Sequence, residues 1–360
     1  MQLTSTTIPP SPIGADAAAL TGAAPVKTEK KYIQGLDFLR AVAALSVCLY
    51  HFSGAALPKV INVYMKPLFA SGWLGVDIFF VISGFIIPYS LLGKKYSVTQ
   101  IGPYLVKRII RINPPAYAAM ALVLAQWFLI DRFINHNQVY TGAITLPQIF
   151  HNMIFTVPFT QYKWVVGIFW TLAIEFQFYI FIGLFFNFLF ESNHLWKFVA
   201  GYLAVSLLQY LPFADFRNFF HYSSLFAMGG IALLYHQNRV SKLEFGVVML
   251  IFTAVAFWQL EPTITLTGLA TVAAILFTRV ENKLFALIGK ISYSFYLIHV
   301  LLGTTAEFVL VRLITPDTEI KKVIITLLCI VCALLGAYVF YTLVEKPFIE
   351  LAKRYGRAKA

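Results

Sequence analysis

Cysteine is scarce in this chain, and so is charge. The three cysteines, Cys48, Cys329 and Cys332, all lie inside apolar runs, with no histidine or acidic cluster at zinc-ligand spacing beside them. No disulfide framework is implied and no metal site is expected. Cys329 and Cys332, at i and i+3 of a membrane helix, read as packing rather than redox chemistry. Charged residues are only 12% of the chain against 59% hydrophobic ones, which excludes a water-soluble globular protein. With many apolar runs of about 20 residues, the composition predicts an all-α polytopic membrane protein. An internal repeat and a second soluble domain are also lacking.

Acidic residues are the scarcer sign, 16 against 28 lysines and arginines, for a formal net charge of +12. That surplus would suit nucleic acid, but the basic residues flank apolar runs. Topology explains them first and anionic lipid or phosphate second, so no nucleic-acid partner is expected.

Apolar runs predict ten helices near 33–53, 71–92, 109–130, 165–190, 197–213, 220–236, 244–260, 262–279, 284–311 and 323–344. Residues 1–30 are expected to form a disordered cytoplasmic tail, being rich in Thr, Ser, Pro, Ala and Gly and lacking the basic and apolar regions of a signal peptide. Residues 31–348 are the expected transmembrane domain and 349–360 a basic cytoplasmic tail. Lys27, Lys30 and Lys31 hold the N-terminus inside by the positive-inside rule. Eighteen lysines and arginines then fall on the cytoplasmic side and eight on the other, predicting both termini inside a multi-pass protein of the inner (plasma) membrane.

The chain is organised around Gly35 to Phe52, GLDFLRAVAALSVCLYHF, an apolar run carrying an arginine and a histidine. An arginine mid-helix costs roughly 2.5–3.5 kcal/mol on insertion scales, so Arg40 should face protein or a watery cavity. Arg40 and His51 are eleven residues apart, close to three whole turns, which puts both on one face with roughly 16 Å of rise between them.

Other polar groups sit at membrane depth. Asp77, in GWLGVDIFFVISGF, lies near the outer end of the second run and is a candidate to orient His51 as a general base; the alternative is a helix cap. Arg108 and Arg111, in YLVKRIIRINPP, share a face at i and i+3 and suit a polyanionic phosphate, or are an ordinary positive-inside cluster. Asn113, Pro114 and Pro115 follow and disturb the helix just above them. Glu175, in WTLAIEFQFY, is expected to be protonated, paired with a cation such as Arg40, or lining a site. In GKISYSFYLIH, Tyr293, Tyr296 and His299 are candidates to line an acyl-CoA tunnel or acceptor cleft, interhelical hydrogen bonding being the alternative. The terminal VEKPF reads as a helix stop before Pro347. His136, His151, His194, His221 and His236 are assigned no role. Cations at one end and a base three turns away match a CoA thioester, with anionic phosphates, a long neutral arm and a reactive carbonyl.

These stretches, in this order and over most of residues 33–350, resemble the integral-membrane acyltransferase family three, O-acyltransferases that modify sugars and lipids at cell surfaces. The resemblance implies that His51 is the essential histidine and Arg40 its partner, with Asp77 beside the matching Ser83 and Gly84. It implies that Arg108 and Arg111 bind acyl-CoA and that Glu175 is the family's acidic residue. It further implies ten helices and transfer of an acyl group, most often acetyl, from cytoplasmic acyl-CoA to a hydroxyl of a surface glycan or lipid-linked oligosaccharide. Implied partners are thus the bilayer, the glycan acceptor and polysaccharide-export machinery. Some members carry an extra C-terminal esterase-like domain; this sequence ends soon after Lys346, so a direct handover or a separate partner is expected. A glycan or lipid transporter is the alternative from another class, against which no pair of interrupted helices appears in matching halves. A peptide, sterol or small lipid acceptor also stays open.

Overall fold

A glycine starts the first helix. Gly35 has φ +96°, the left-handed region that other residues avoid, and a Cβ there would lie 2.7 Å from the Thr278 carbonyl oxygen. The computed structural model describes residues 35–54, 56–211, 218–280 and 282–358, so the expected tail over 1–30 lies outside the described residues. Among them, regular structure is helical throughout. The helices that matter are α1 Leu36–Ser53, α2 Gly75–Tyr89, α3 Ile101–Ile130, α4 Phe169–Phe186, α5 Leu195–Leu207, α6 Phe219–His236, α7 Lys242–Gln259, α8 Pro262–Phe277, α9 Lys283–Lys290, α10 Ser292–Leu313, α11 Glu319–Phe340 and α12 Lys346–Ala358. Among the described residues seven helical stretches are long and apolar enough to cross a membrane, and Pro262–Phe277 is a shorter apolar helix.

Lipid tails are as apolar as leucine, so burial alone does not drive such helices together; close backbone approach and interhelical hydrogen bonds do. Small residues supply that approach here. A Cβ at Gly84 would lie 2.2 Å from the Phe226 oxygen, and one at Gly229 2.1 Å from the Val81 oxygen, so α2 and α6 touch backbone to backbone. Aromatic rings fill the space around this contact, with Phe178 and Phe226 centroids 4.3 Å apart. From Tyr222 to Leu234, α6 is buried on every side. Gly75 seats α2 on the Ala43 carbonyl of α1, and Gly289 seats α9 on the Asp37 carbonyl.

Most expected boundaries move by a few residues, and three expectations change in kind. The third helix begins at Ile101 rather than near 109, because Ser97 and Gln100 form a capping box that starts it early. Lys107, Arg108 and Arg111 therefore lie within its second and third turns. The run over 284–311 is two helices, α9 and α10, broken at Ile291. The VEKPF segment is not a stop: a π-helical turn, Tyr341–Glu345, feeds directly into α12. Pro347 is the second residue of α12, within a first turn where proline's missing N–H is tolerated.

Candidate active site

Two clusters lie along α1. At its starting end a cavity of about 400 Å³ is lined by Asp37, Arg40, Arg111, Lys290, Tyr341 and Glu345, with Ala286, Leu287 and Ile349 as its apolar wall. Five elements build it: α1 gives Arg40, α3 Arg111, α9 Lys290, the turn before α12 Glu345, and α12 itself Ile349. Among the described residues no ion pair closes on Arg40, Arg111 or Lys290. Glu345 is 2% exposed, and its Oε2 accepts from Ser294 N at 3.2 Å and Ser294 Oγ at 2.6 Å. That carboxylate therefore caps the first turn of α10 while edging the cavity. Between α2 and α3, burial, then Lys107 and Arg108, holds the Lys94 ammonium below its ordinary value.

Arg108 does not join Arg111 in the cavity. The guanidinium of Arg108 lies 5.4 Å from the Tyr104 ring and 5.1 Å from the Tyr179 ring, and its Nη2 donates to Ser90 Oγ at 2.6 Å. Three residues advance a helix by about 300°, so the pair diverges by roughly 60° around α3. Tyr104, one turn back, and Tyr179 of α4 take Arg108 into an aromatic sandwich. Tyr179 donates to Glu175 at 2.5 Å, and Ser83 Oγ lies 3.4 Å from the same oxygen. Glu175 is thus held by a phenol rather than by a cation at bonding distance.

At the other end of α1, His51 Nδ1 lies 2.8 Å from His299 Nε2 of α10. His51 is half-buried, His299 only 1% exposed. The sequence suggests Asp77 as the partner of His51, and the structure puts His299 there instead. Asp77 is 2% exposed in the first turn of α2, and its Oδ2 has no hydrogen-bond partner among the described residues. The cause is packing: α1 lies along α10, and Gly303 of α10 admits the Phe52 ring beside His51.

Between the two ends, α10 carries a polar stripe. Tyr293 Oη donates to the Ile112 carbonyl at 2.8 Å, just before the proline pair of α3. Tyr296 Oη and Thr171 Oγ1 share a hydrogen bond of 2.9 Å. Tyr293, Tyr296 and His299 climb about 9 Å at 1.5 Å per residue, alongside α1, α3 and α4. The stripe thus lies between the level of the cationic cavity and that of the His51–His299 pair, with both phenols hydrogen-bonded to neighbouring helices. A model of the acyltransferase domain, acyltransferase family 3, matches residues 33–342.

The chain belongs to acyltransferase family 3.

The relatives that this chain matches differ greatly in length. A protein of Staphylococcus aureus (strain COL), provisionally named an O-acetyltransferase, is 34% identical over 158 residues, which cover 42% of this chain and 24% of that relative. The peptidoglycan O-acetyltransferase of Listeria monocytogenes (strain EGD-e) is 29% identical over 176 residues, again 42% of this chain and 24% of the relative. The chain thus spans about a quarter of those relatives. A provisionally named acetyltransferase of Acidianus two-tailed virus is 25% identical over 301 residues, 76% of this chain and 84% of the relative. No solved structure matches the chain.

Sequence reasoning misses Lys290 as a cavity residue and Glu345 as the cap of α10. The signal for Lys290 is its place within GKISYSFYLIH, as the second residue of that stretch; the break at Ile291 ends α9 on it, and it lines the cavity with Arg40 and Arg111. Among the described residues no group of three or more His, Cys, Asp and Glu side chains is placed to hold a metal.

Proposed function

We propose that this protein is an O-acetyltransferase of the inner (plasma) membrane, taking an acetyl group from cytoplasmic acetyl-CoA to a hydroxyl of a surface or lipid-linked glycan. The observation that carries the reading is that one helix, α1, turns Arg40 into a cationic cavity and, three turns on, sets a half-buried His51 against His299. The end of the bundle holding Arg40, Arg111 and Lys290 faces the cytoplasm in this reading and takes the phosphates of the donor. The pantetheine arm follows the Tyr293 and Tyr296 stripe, about the 16 Å that eleven residues of helix provide. His51 removes the acceptor hydroxyl proton as the oxygen attacks the thioester carbon; the C–O bond forms, the C–S bond breaks, and the proton passes from His51 to the departing sulfur. Arg108 and Glu175 support the wall rather than grip phosphate, and Asp77 is a buried carboxyl beside the path.

The names of the relatives support acetyl transfer to a hydroxyl, and a glycan acceptor is in keeping with the Listeria relative's peptidoglycan. The test is labelled acetyl-CoA added to membranes containing this protein or its His51→Ala variant. Label appears in glycan with the wild type and not with the variant. Undiminished incorporation by a folded H51A protein removes His51 from the mechanism, and accelerated glycan export with no incorporation replaces the enzyme by a transporter.

A further inference from the structure

A histidine that acts as base needs one tautomer, and α1 supplies nothing to fix it. The hydrogen bonds of His299 do. Its Nδ1 lies 2.8 Å from the Tyr296 carbonyl oxygen and 3.2 Å from that of Phe295, both one turn back in α10. Carbonyl oxygens only accept, so Nδ1 of His299 carries a proton. The rings of Phe52, Phe295 and Tyr296 surround it at 6.1, 5.9 and 6.0 Å, and among the described residues no carboxylate bonds to it. A second proton would leave a buried cation without a counter-charge, so the neutral ring is the stable one. Nε2 of His299 therefore presents a lone pair.

The atom facing that lone pair, at 2.8 Å, is His51 Nδ1. The two rings are 23° from coplanar with centroids 5.1 Å apart, a separation that fits two rings meeting edge to edge through one N–H···N bond. His51 must donate, so its proton sits on Nδ1 and its Nε2 is bare.

We propose that His299 is a positioning residue that locks His51 in the Nδ1–H tautomer and stays as its acceptor while His51 is an imidazolium. This rests on the reading of His51 as the base. When Nε2 of His51 takes the hydroxyl proton, the Nδ1–H bond to His299 persists and no proton crosses to His299, whose own N–H is tied to carbonyls. The arrangement does what a buried carboxylate does behind a catalytic histidine, with a neutral acceptor in its place.

Two measurements test it on the full chain in lipid nanodiscs. Nitrogen-15 spectra of histidine-labelled protein, with His51 assigned by its loss in H51A, should show Nδ1 protonated and Nε2 bare; the opposite pattern overturns the proposal even if no His299 variant folds. The second is a pair of variants assayed for acetyl transfer. His299→Gln places an amide oxygen near the lost Nε2 and should keep kcat within about tenfold, whereas His299→Leu should cost roughly 10²- to 10⁴-fold in kcat with KM for acetyl-CoA unchanged. A His299→Leu protein with full kcat, or one altered only in KM, overturns the positioning role while inactive H51A still upholds the base. Active H51A instead sinks the base reading itself.

Discussion

Removing Arg111 or Lys290 should weaken acetyl-CoA binding far more than removing Arg108, although Arg108 and Arg111 sit in one motif. Arg111 and Lys290 line the cavity with no ion pair closing on them among the described residues. Lys290 rests over the Tyr341 ring at 5.5 Å, but among the described residues neither cation is held in an ion pair or a side-chain hydrogen bond such as Arg108 makes, so each can turn to phosphate in charge-assisted contacts worth about 1.5–3 kcal/mol apiece. At about 1.4 kcal/mol per decade, Arg111→Ala or Lys290→Ala should raise the Kd roughly 10- to 150-fold. Arg108 is committed to Ser90, Tyr104 and Tyr179, so Arg108→Ala should leave the Kd within about threefold and lower thermal stability instead. Equilibrium binding of radiolabelled acetyl-CoA to purified protein, across a salt series, reads all three. Equal losses for Arg108→Ala and Arg111→Ala, with Lys290→Ala unchanged, would refute the assignment of the cavity to the donor.

Glycine at 84 should be irreplaceable: the methyl of Gly84→Ala would lie 2.2 Å from the Phe226 oxygen and force α2 from α6, costing about 1–3 kcal/mol or more, seen as a lower melting temperature in detergent. Glu345→Ala strips two hydrogen bonds from the first turn of α10 and should destabilise by about 2–4 kcal/mol, with Glu345→Gln intermediate in the same melt. At the surface, the hydrogen bond from Lys321 holds the Asp317 carboxyl below its ordinary value. Because the folded value is the lower one, its contribution is present above the unfolded value and lost as pH falls through the folded one. Asp317→Asn should therefore melt slightly below wild type at neutral pH and together with it in strong acid.

Much of the helical order was legible because long apolar runs leave few alternatives. The Gly35–Phe52 run folds as the helix Leu36–Ser53, with Arg40 near its start and His51 near its end. What was hidden depends on contacts between distant segments. Nothing local tells that Gly303 makes room for Phe52 and so brings His299, rather than Asp77, against His51. Nor does the spacing of Arg108 and Arg111 reveal that Tyr104 and Tyr179 capture the first and leave the second in the cavity. The start of α3 at Ile101 was readable from Ser97 and Gln100, a capping pair outweighed by the apolar run that follows it.

Glu345 borders the pocket of cations and, with the same oxygen, grips the amide and hydroxyl of Ser294. Ser294 belongs to the helix that carries His299, so a charged group brought beside this carboxylate would act at the foot of the same rod whose farther part bonds to His51. If the cavity takes the donor as proposed, a change at Glu345 would reach both the grip on that donor and the seat of the helix that carries His299.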